Sequence, residues 1–161
     1  MTMILIGFMG SGKSTIAKRL HNNDFSYIDM DHWIESNAQQ SIPDIFNAHG
    51  ETHFRELEYH ALKETHDSYD CIATGGGIVT YTPSFDFLKS TKKPIVWLDA
   101  PIDKLLHRIS GDTNRPLAQN RQDIIARYES RHEQYKSLAD IRIDTRKPVD
   151  DCVKEILEFL K

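Results

Sequence analysis

The residues best suited to chemistry stand at the start of the chain. Met3 to Thr15 reads MILIGFMGSGKST: an apolar run, then Gly7, four residues, Gly12, Lys13 and Ser14. That fills every fixed position of the GxxxxGK[ST] phosphate-binding loop. Gly7, Gly10 and Gly12 free the backbone to take positive φ and approach a ligand, so that successive N–H groups converge on phosphate oxygens. They lead into a helix N-terminus, whose unpaired donors and dipole favour anions. Lys13, expected on an exposed part of the loop, is placed to reach the β- and γ-phosphates of a nucleotide, and the Ser14 hydroxyl to bind Mg²⁺. A second candidate is the pair Asp29 and Asp31. If extended geometry continues past the strand before them, their shared parity turns both carboxylates to one side. Taken alone, the pair reads equally as a strand end with a helix cap. Gly75, Gly76 and Gly77 follow Thr74 and mark either a close backbone approach or a loose turn.

The elements that must position these residues alternate along the chain. Short apolar runs at Met3 to Ile6, Phe25 to Ile28, Asp70 to Ala73, Pro94 to Leu98 and Ile141 to Ile143 read as strands. Between them, helical periodicity is expected from Ser14 to Leu20, Trp33 to Ala38, Glu51 to His66, from Pro101 through Ile109, Asp123 to Leu138 and Val149 to Leu160. Ser41, with Asp44 three residues on, is a plausible cap for a short turn Ile42 to Phe46, and Gly50 punctuates the chain before the longer helix. The stretch 111–122, GDTNRPLAQNRQ, is polar and aperiodic and reads as a mobile loop between two helices. This βαβα order predicts one three-layer α/β domain around a parallel sheet, with ligands beyond the carboxyl ends of its strands. Gly7 to Lys13, Asp29 to Asp31 and Gly75 to Gly77 all fall there.

Composition bounds the function. At 161 residues the chain suits one core, burying about 70% of the unfolded surface. A net charge of −4 and a pI near 6.0 argue against a general nucleic-acid or membrane surface. No apolar stretch approaches ~20 residues and no signal-peptide pattern precedes the first strand, so a cytoplasmic, monomeric protein is expected. Cys71 and Cys152 read as reduced packing residues. His49 and His53 lack the zinc-protease pattern, because Gly50 stands where the glutamate belongs.

These motifs together resemble the shikimate kinases, small P-loop kinases of aromatic amino-acid biosynthesis. The resemblance spans nearly the whole chain. It rests on GFMGSGKST, Asp29-x-Asp31, Ser41-Ile42-x-x-Ile45-Phe46, Gly50-Glu51-x-x-Phe54-Arg55-x-x-Glu58, Thr74-Gly75-Gly76-Gly77, Arg115-Pro116-Leu117 and Arg131. It implies a P-loop NTPase fold with a five-stranded parallel sheet of order 2-3-1-4-5, and transfer of the γ-phosphate of ATP to the 3-hydroxyl of shikimate. The shikimate-binding helical region would span about 31–62 and the lid about 111–122.

The resemblance also assigns residues. Gly10, Ser11, Gly12, Lys13, Ser14 and Thr15 would hold the nucleotide, with Ser14 and Asp29 on Mg²⁺ and Asp31 on the attacking hydroxyl. Arg55 and Arg131 would grip the shikimate carboxylate, with Glu58, one helical turn on, orienting Arg55. The Gly76 backbone N–H, with Gly77 beside it, would meet a substrate hydroxyl. Phe46 and Phe54 would flank the ring, although at helical spacing they read equally as ordinary core. Arg115 would reach the transferring phosphoryl group, Arg108 would lie against adenine, and Arg146 would complete the adenine loop beside Lys147. Two departures stand out. His21-Asn22-Asn23 occupies the place of a usual glycine, with Asn expected to supply its left-handed conformation, and the lid reads RPLA in place of RPLL.

Overall fold

The computed structural model describes residues 1–110 and 121–161. Its frame is a five-stranded parallel sheet of order β2-β3-β1-β4-β5, built from β1 (Met3–Ile6), β2 (Tyr27–Asp29), β3 (Cys71–Ala73), β4 (Ile95–Asp99) and β5 (Ile141–Asp144). The helices are α1 (Lys13–His21), α2 (Met30–Ala38), α3 (Ile42–Thr65), α4 (Thr82–Ser90), α5 (Ile102–Ser110), α6 (Arg121–Leu138) and α7 (Val149–Leu160). A 3₁₀ turn occupies Ile78–Thr80. Fold class and strand order agree with the expectation from sequence.

The pleat divides the core. Met3, Leu5, Val96 and Leu98 face one side of the sheet, with Ile16, Ala17 and Leu20 of α1 and Val153 and Ile156 of α7. Ile4, Ile6, Ile95 and Trp97 face the other, with the apolar sides of α2, α3, α5 and α6. Consecutive residues of one strand therefore serve opposite layers, as a sheet covered on both faces requires. Cys71 and Cys152 are both buried in the first of these layers. No described helix is long and apolar enough to cross a membrane.

The departures from the sequence reading are local. The second strand starts at Tyr27, two residues later than expected, and runs straight into α2 at Met30. The Ser41 cap forms, its Oγ accepting from the Asp44 N–H at 3.2 Å. Gly50, non-helical at φ 85° and ψ 174°, divides α3 into a short first stretch and a longer second one, as its punctuating place in the sequence suggests. A glycine is the inexpensive residue for that conformation. The left-handed residue after α1 is Asp24 at φ 68°, whereas Asn22 is right-handed and Asn23 is not among the positive-φ residues. Helix α4 is absent from the sequence reading, although Pro83 in its first turn is a helix-start signal. Helix α6 begins at Arg121, so Arg121 and Gln122 belong to it and not to the expected loop. The remainder of that loop, with Arg115, lies outside the described residues.

Candidate active site

The carboxyl ends of β1, β2 and β3 bring three glycine- and aspartate-bearing turns together. At the first, β1 passes so close to β4 that a Cβ on Gly7 would stand 2.4 Å from the Leu98 carbonyl oxygen. Gly12 caps α1 in the left-handed region, at φ 98°. Lys13 is the first residue of α1 and only 9% exposed, in contrast to the exposed loop position expected. Its Nζ donates to the carbonyls of Gly7 (2.5 Å) and Phe8 (3.1 Å), so the ammonium is held across its own loop.

Asp29 and Asp31 are separated by the change from strand to helix. The chain is no longer extended after Asp29, and the shared parity expected of the pair is lost. Asp29 becomes the N-cap of α2, its Oδ1 accepting from the Asp31 N–H at 3.1 Å. Its Oδ2 accepts from the Ser14 hydroxyl at 2.5 Å, which ties it to the phosphate loop. Asp31 sits in the first turn of α2 and turns the other way, toward Gly75 and Glu58. The cap reading is realised at Asp29 Oδ1, while Oδ2 faces the phosphate loop.

Asp31 opens onto a pocket lined by Met9, Ile42, Phe46, Phe54, Arg55, Glu58, the three glycines and Arg131. The rings of Phe46 and Phe54 pack at 4.9 Å as one wall. Arg55 and Glu58, one turn apart on α3, are both buried and joined by an Nη1 to Oε1 bond of 2.6 Å. Arg131 is equally buried, lies over the Phe8 ring, and has no carboxylate at salt-bridge distance among the described residues. Burial and the neighbouring Arg55 charge both press the Arg131 guanidinium below its usual value. Two desolvated cations facing one cavity favour an anionic ligand.

None of the three glycines takes a positive φ. Space is what requires them. A Cβ at Gly75 would meet Glu58 Oε2 at 2.5 Å and Asp31 Oδ1 at 3.0 Å; at Gly76 it would meet the Met9 backbone nitrogen at 3.0 Å. At Gly77 it would stand 2.3 Å from an Arg55 guanidinium nitrogen. The turn is therefore a fitted floor beneath the charged residues, and the loose-turn reading fails.

Glu58 is a titratable group under strain. Burial raises its carboxyl to about 7, against the opposing pull of Arg55, and the Asp31 charge adds to the rise. Its Oε2 has no hydrogen-bond partner among the described residues. A carboxyl raised in the folded state favours folding at low pH, and that contribution is lost as pH climbs from the ordinary glutamate range through about 7. Glu58→Gln has no such proton. Relative to this variant, the parent should lose up to about 3 kcal/mol of stability between pH 4 and pH 8. Urea unfolding of both proteins across that range measures the difference, and parallel curves would show that Glu58 titrates normally.

A second cleft lies on the far side of the phosphate loop, lined by Gly10, Ser11, Gly12, Thr15, Ile16, Arg108, Thr145, Lys147, Val149 and Cys152. Arg108 is pinned in its wall, donating to the Gly10 carbonyl at 3.0 Å, to Thr145 Oγ1 at 3.1 Å and to the Thr145 carbonyl at 2.8 Å. Arg146 does not line this cleft. It pairs with Asp144 at 2.5 Å and, through that hydrogen bonding, draws the Asp144 carboxyl down to about 2. Lys147, beside it, does line the cleft and bonds to Glu155. Sequence reasoning also misses Thr145 and Tyr135, neither of which belongs to a short motif.

A parallel sheet with a GxxxxGKS loop at its first strand, an acidic residue on the loop's serine, and an adjoining cationic pocket define a P-loop kinase. The shikimate kinase family model matches residues 9–161. Shikimate kinases from Staphylococcus haemolyticus and Staphylococcus aureus are 40% and 41% identical, over 98% and 99% of this chain and 93% of each relative. Among solved structures, shikimate kinase from Acinetobacter baumannii in complex with shikimate superposes with a TM-score of 0.92 at 33% identity, covering 99% of this chain and 92% of that one. Shikimate kinase from Aquifex aeolicus gives 0.83 at 34% identity, covering 99% and 96%. The chain belongs to the shikimate kinase family, whose members are ATP-dependent kinases.

Proposed function

We propose that this chain transfers the γ-phosphoryl group of ATP to the 3-hydroxyl of shikimate, with Mg²⁺ as the metal, giving shikimate 3-phosphate and ADP. The observation that carries this reading is the acceptor pocket, where buried Arg55 and Arg131 face the same space as Asp31. A carboxylate with ring hydroxyls suits that arrangement: the guanidinium forks take the carboxylate and Asp31 accepts a hydrogen bond from the attacking hydroxyl. Glu58 holds Arg55 in place, Phe46 and Phe54 flank the ring, and the Gly76 and Gly77 N–H groups meet a hydroxyl.

On the nucleotide side, Gly10 to Thr15 cradle the phosphates and Lys13 exchanges its two carbonyl partners for phosphate oxygens. The Ser14 hydroxyl and Asp29 carboxylate are hard oxygen donors at hydrogen-bond distance from each other, which suits Mg²⁺ held by Ser14 directly and by Asp29 through water. Bound Mg²⁺ would neutralise phosphate charge during transfer. Arg108 supplies a flat cation for adenine, and Lys147, which lines the cleft where Arg146 does not, is the second cation there. Arg115, outside the described residues, is assigned to the transferring phosphoryl group as part of a lid of about 111–120, and shikimate binding to the region of about 31–62. We assign the protein to the cytoplasm as a monomer without nucleic-acid or membrane partners.

The test is ADP release with shikimate, gluconate and nucleoside monophosphates offered separately. Turnover with shikimate alone supports the reading; turnover with a nucleotide acceptor would replace it with a nucleotide kinase. The two aspartates separate in a metal titration. Asp29→Asn should need about 10- to 100-fold more Mg²⁺ and regain activity when Mg²⁺ or Mn²⁺ is added. Asp31→Asn should lose turnover that no metal concentration restores. The opposite response would exchange their roles.

A further inference from the structure

A buried tyrosine joins two parts of the acceptor pocket that no chain connection joins. Tyr135 lies one helical turn after Arg131 on α6, is 2% exposed, and packs its ring beside Trp97 at 6.1 Å. Its hydroxyl donates to the Gly76 carbonyl and lies in the field of the Arg131 guanidinium. The result is a buried bond between the turn of α6 that follows Arg131 and the Gly76 carbonyl.

The geometry of the peptide gives this bond a function. A carbonyl and the following N–H share one plane and point in opposite directions. The Gly75 carbonyl accepts from the Ile78 N–H at 3.3 Å, and that bond orients the Gly76 N–H. The Gly76 carbonyl takes its hydrogen bond from Tyr135, and that bond orients the Gly77 N–H. Glycine has no Cβ to restrict its torsions, so an unheld Gly76–Gly77 peptide would rotate at little energetic cost. We propose that Tyr135 is a positioning residue for the acceptor: it fixes the Gly76–Gly77 peptide to the helix that carries Arg131, so that a backbone donor and a carboxylate-binding cation are aligned before substrate arrives. Tyr135 lies outside the pocket lining. It works through the Gly76–Gly77 peptide, and the assignment rests on shikimate binding in this pocket.

Tyr135→Phe keeps the ring and removes the hydroxyl. It leaves the Gly76 carbonyl buried without its donor, so shikimate binding should weaken about 10-fold and the unfolding temperature should fall by roughly a few degrees, while ATP binding changes little. Calorimetric titration of each ligand reads this directly. Shikimate affinity within twofold of the parent, or an equal loss for ATP, overturns the proposal. In the unmutated protein the Tyr135 hydroxyl proton should exchange slowly enough to give its own proton resonance, and that resonance should move when shikimate is added. A rapidly exchanging hydroxyl would also overturn it, whether or not the Phe variant folds. Failure of the parent protein to bind shikimate at all would instead remove the acceptor assignment on which the inference stands.

Discussion

Replacing Lys13 with Met should lower turnover by about 100- to 1000-fold, the effect of removing one preorganised charge that stabilises a transition state. The structure refines what else the variant should do. Lys13 is mostly buried, and its ammonium bonds to the carbonyls of Gly7 and Phe8. Losing both bonds costs about 1 kcal/mol each, or roughly a few degrees of unfolding temperature in a chain of this length. Met fills the same channel, so the fold should persist. Steady-state ADP release with a thermal melt on the same sample separates the two effects. A well-folded variant with parental turnover would remove the phosphate loop from the chemistry.

Arg131→Lys should weaken shikimate by about 10- to 1000-fold, because an ammonium cannot reproduce two parallel charged hydrogen bonds of about 1.5–3 kcal/mol each. ATP affinity should stay within about twofold, since α6 meets the acceptor side of the phosphate loop. Arg131 is the cleaner of the two arginines to test. Arg55→Lys also disturbs the buried 2.6 Å bond to Glu58, so stability and affinity fall together. Arg131 has no carboxylate pair among the described residues to strand. Equal losses for both ligands on Arg131→Lys would assign that residue to folding and not to the acceptor.

The parts of this site that are legible in sequence are those carried by short, contiguous patterns. The phosphate loop needs its glycines and lysine at fixed spacing because backbone donors must converge on one anion, so its register survives in the letters alone. Arg55 and Glu58 are readable as a pair because three residues on a helix make one face. The Asp29 and Asp31 pair is legible in type but not in geometry. Whether the chain stays extended after Asp29 depends on the cap that Asp29 itself provides, and a capping aspartate and a strand-end aspartate look alike in sequence. The glycine triplet shows the reverse difficulty. Its composition suggests backbone freedom, but its necessity comes from Met9, Glu58 and Arg55, residues distant in sequence and close only after folding. Tyr135 and Thr145 act through single backbone carbonyls or hydroxyls, and no residue pattern announces such contacts. Lys147 is legible only as a neighbour of Arg146, because which of two adjacent cations turns inward is decided by Asp144 and Glu155.

The alternation of strand residues between two apolar layers reaches beyond stability. The acceptor pocket draws Met9, Ile42, Phe46 and Phe54 from one layer or its margin, whereas the nucleotide cleft draws Ile16, Val149 and Cys152 from the other. The sheet stands between the two apolar layers as a partition. An engineer seeking a new acceptor can therefore redesign the walls formed by α2 and α3 while the helices behind the phosphates, α1 and α7, keep their own packing. Substitutions in the two layers should combine nearly additively, since most pairs across the sheet share no partner. Gly7 is a point where this separation breaks down, because its backbone fits against Leu98 with no room for a side chain, and a library that varies the acceptor should leave that position alone.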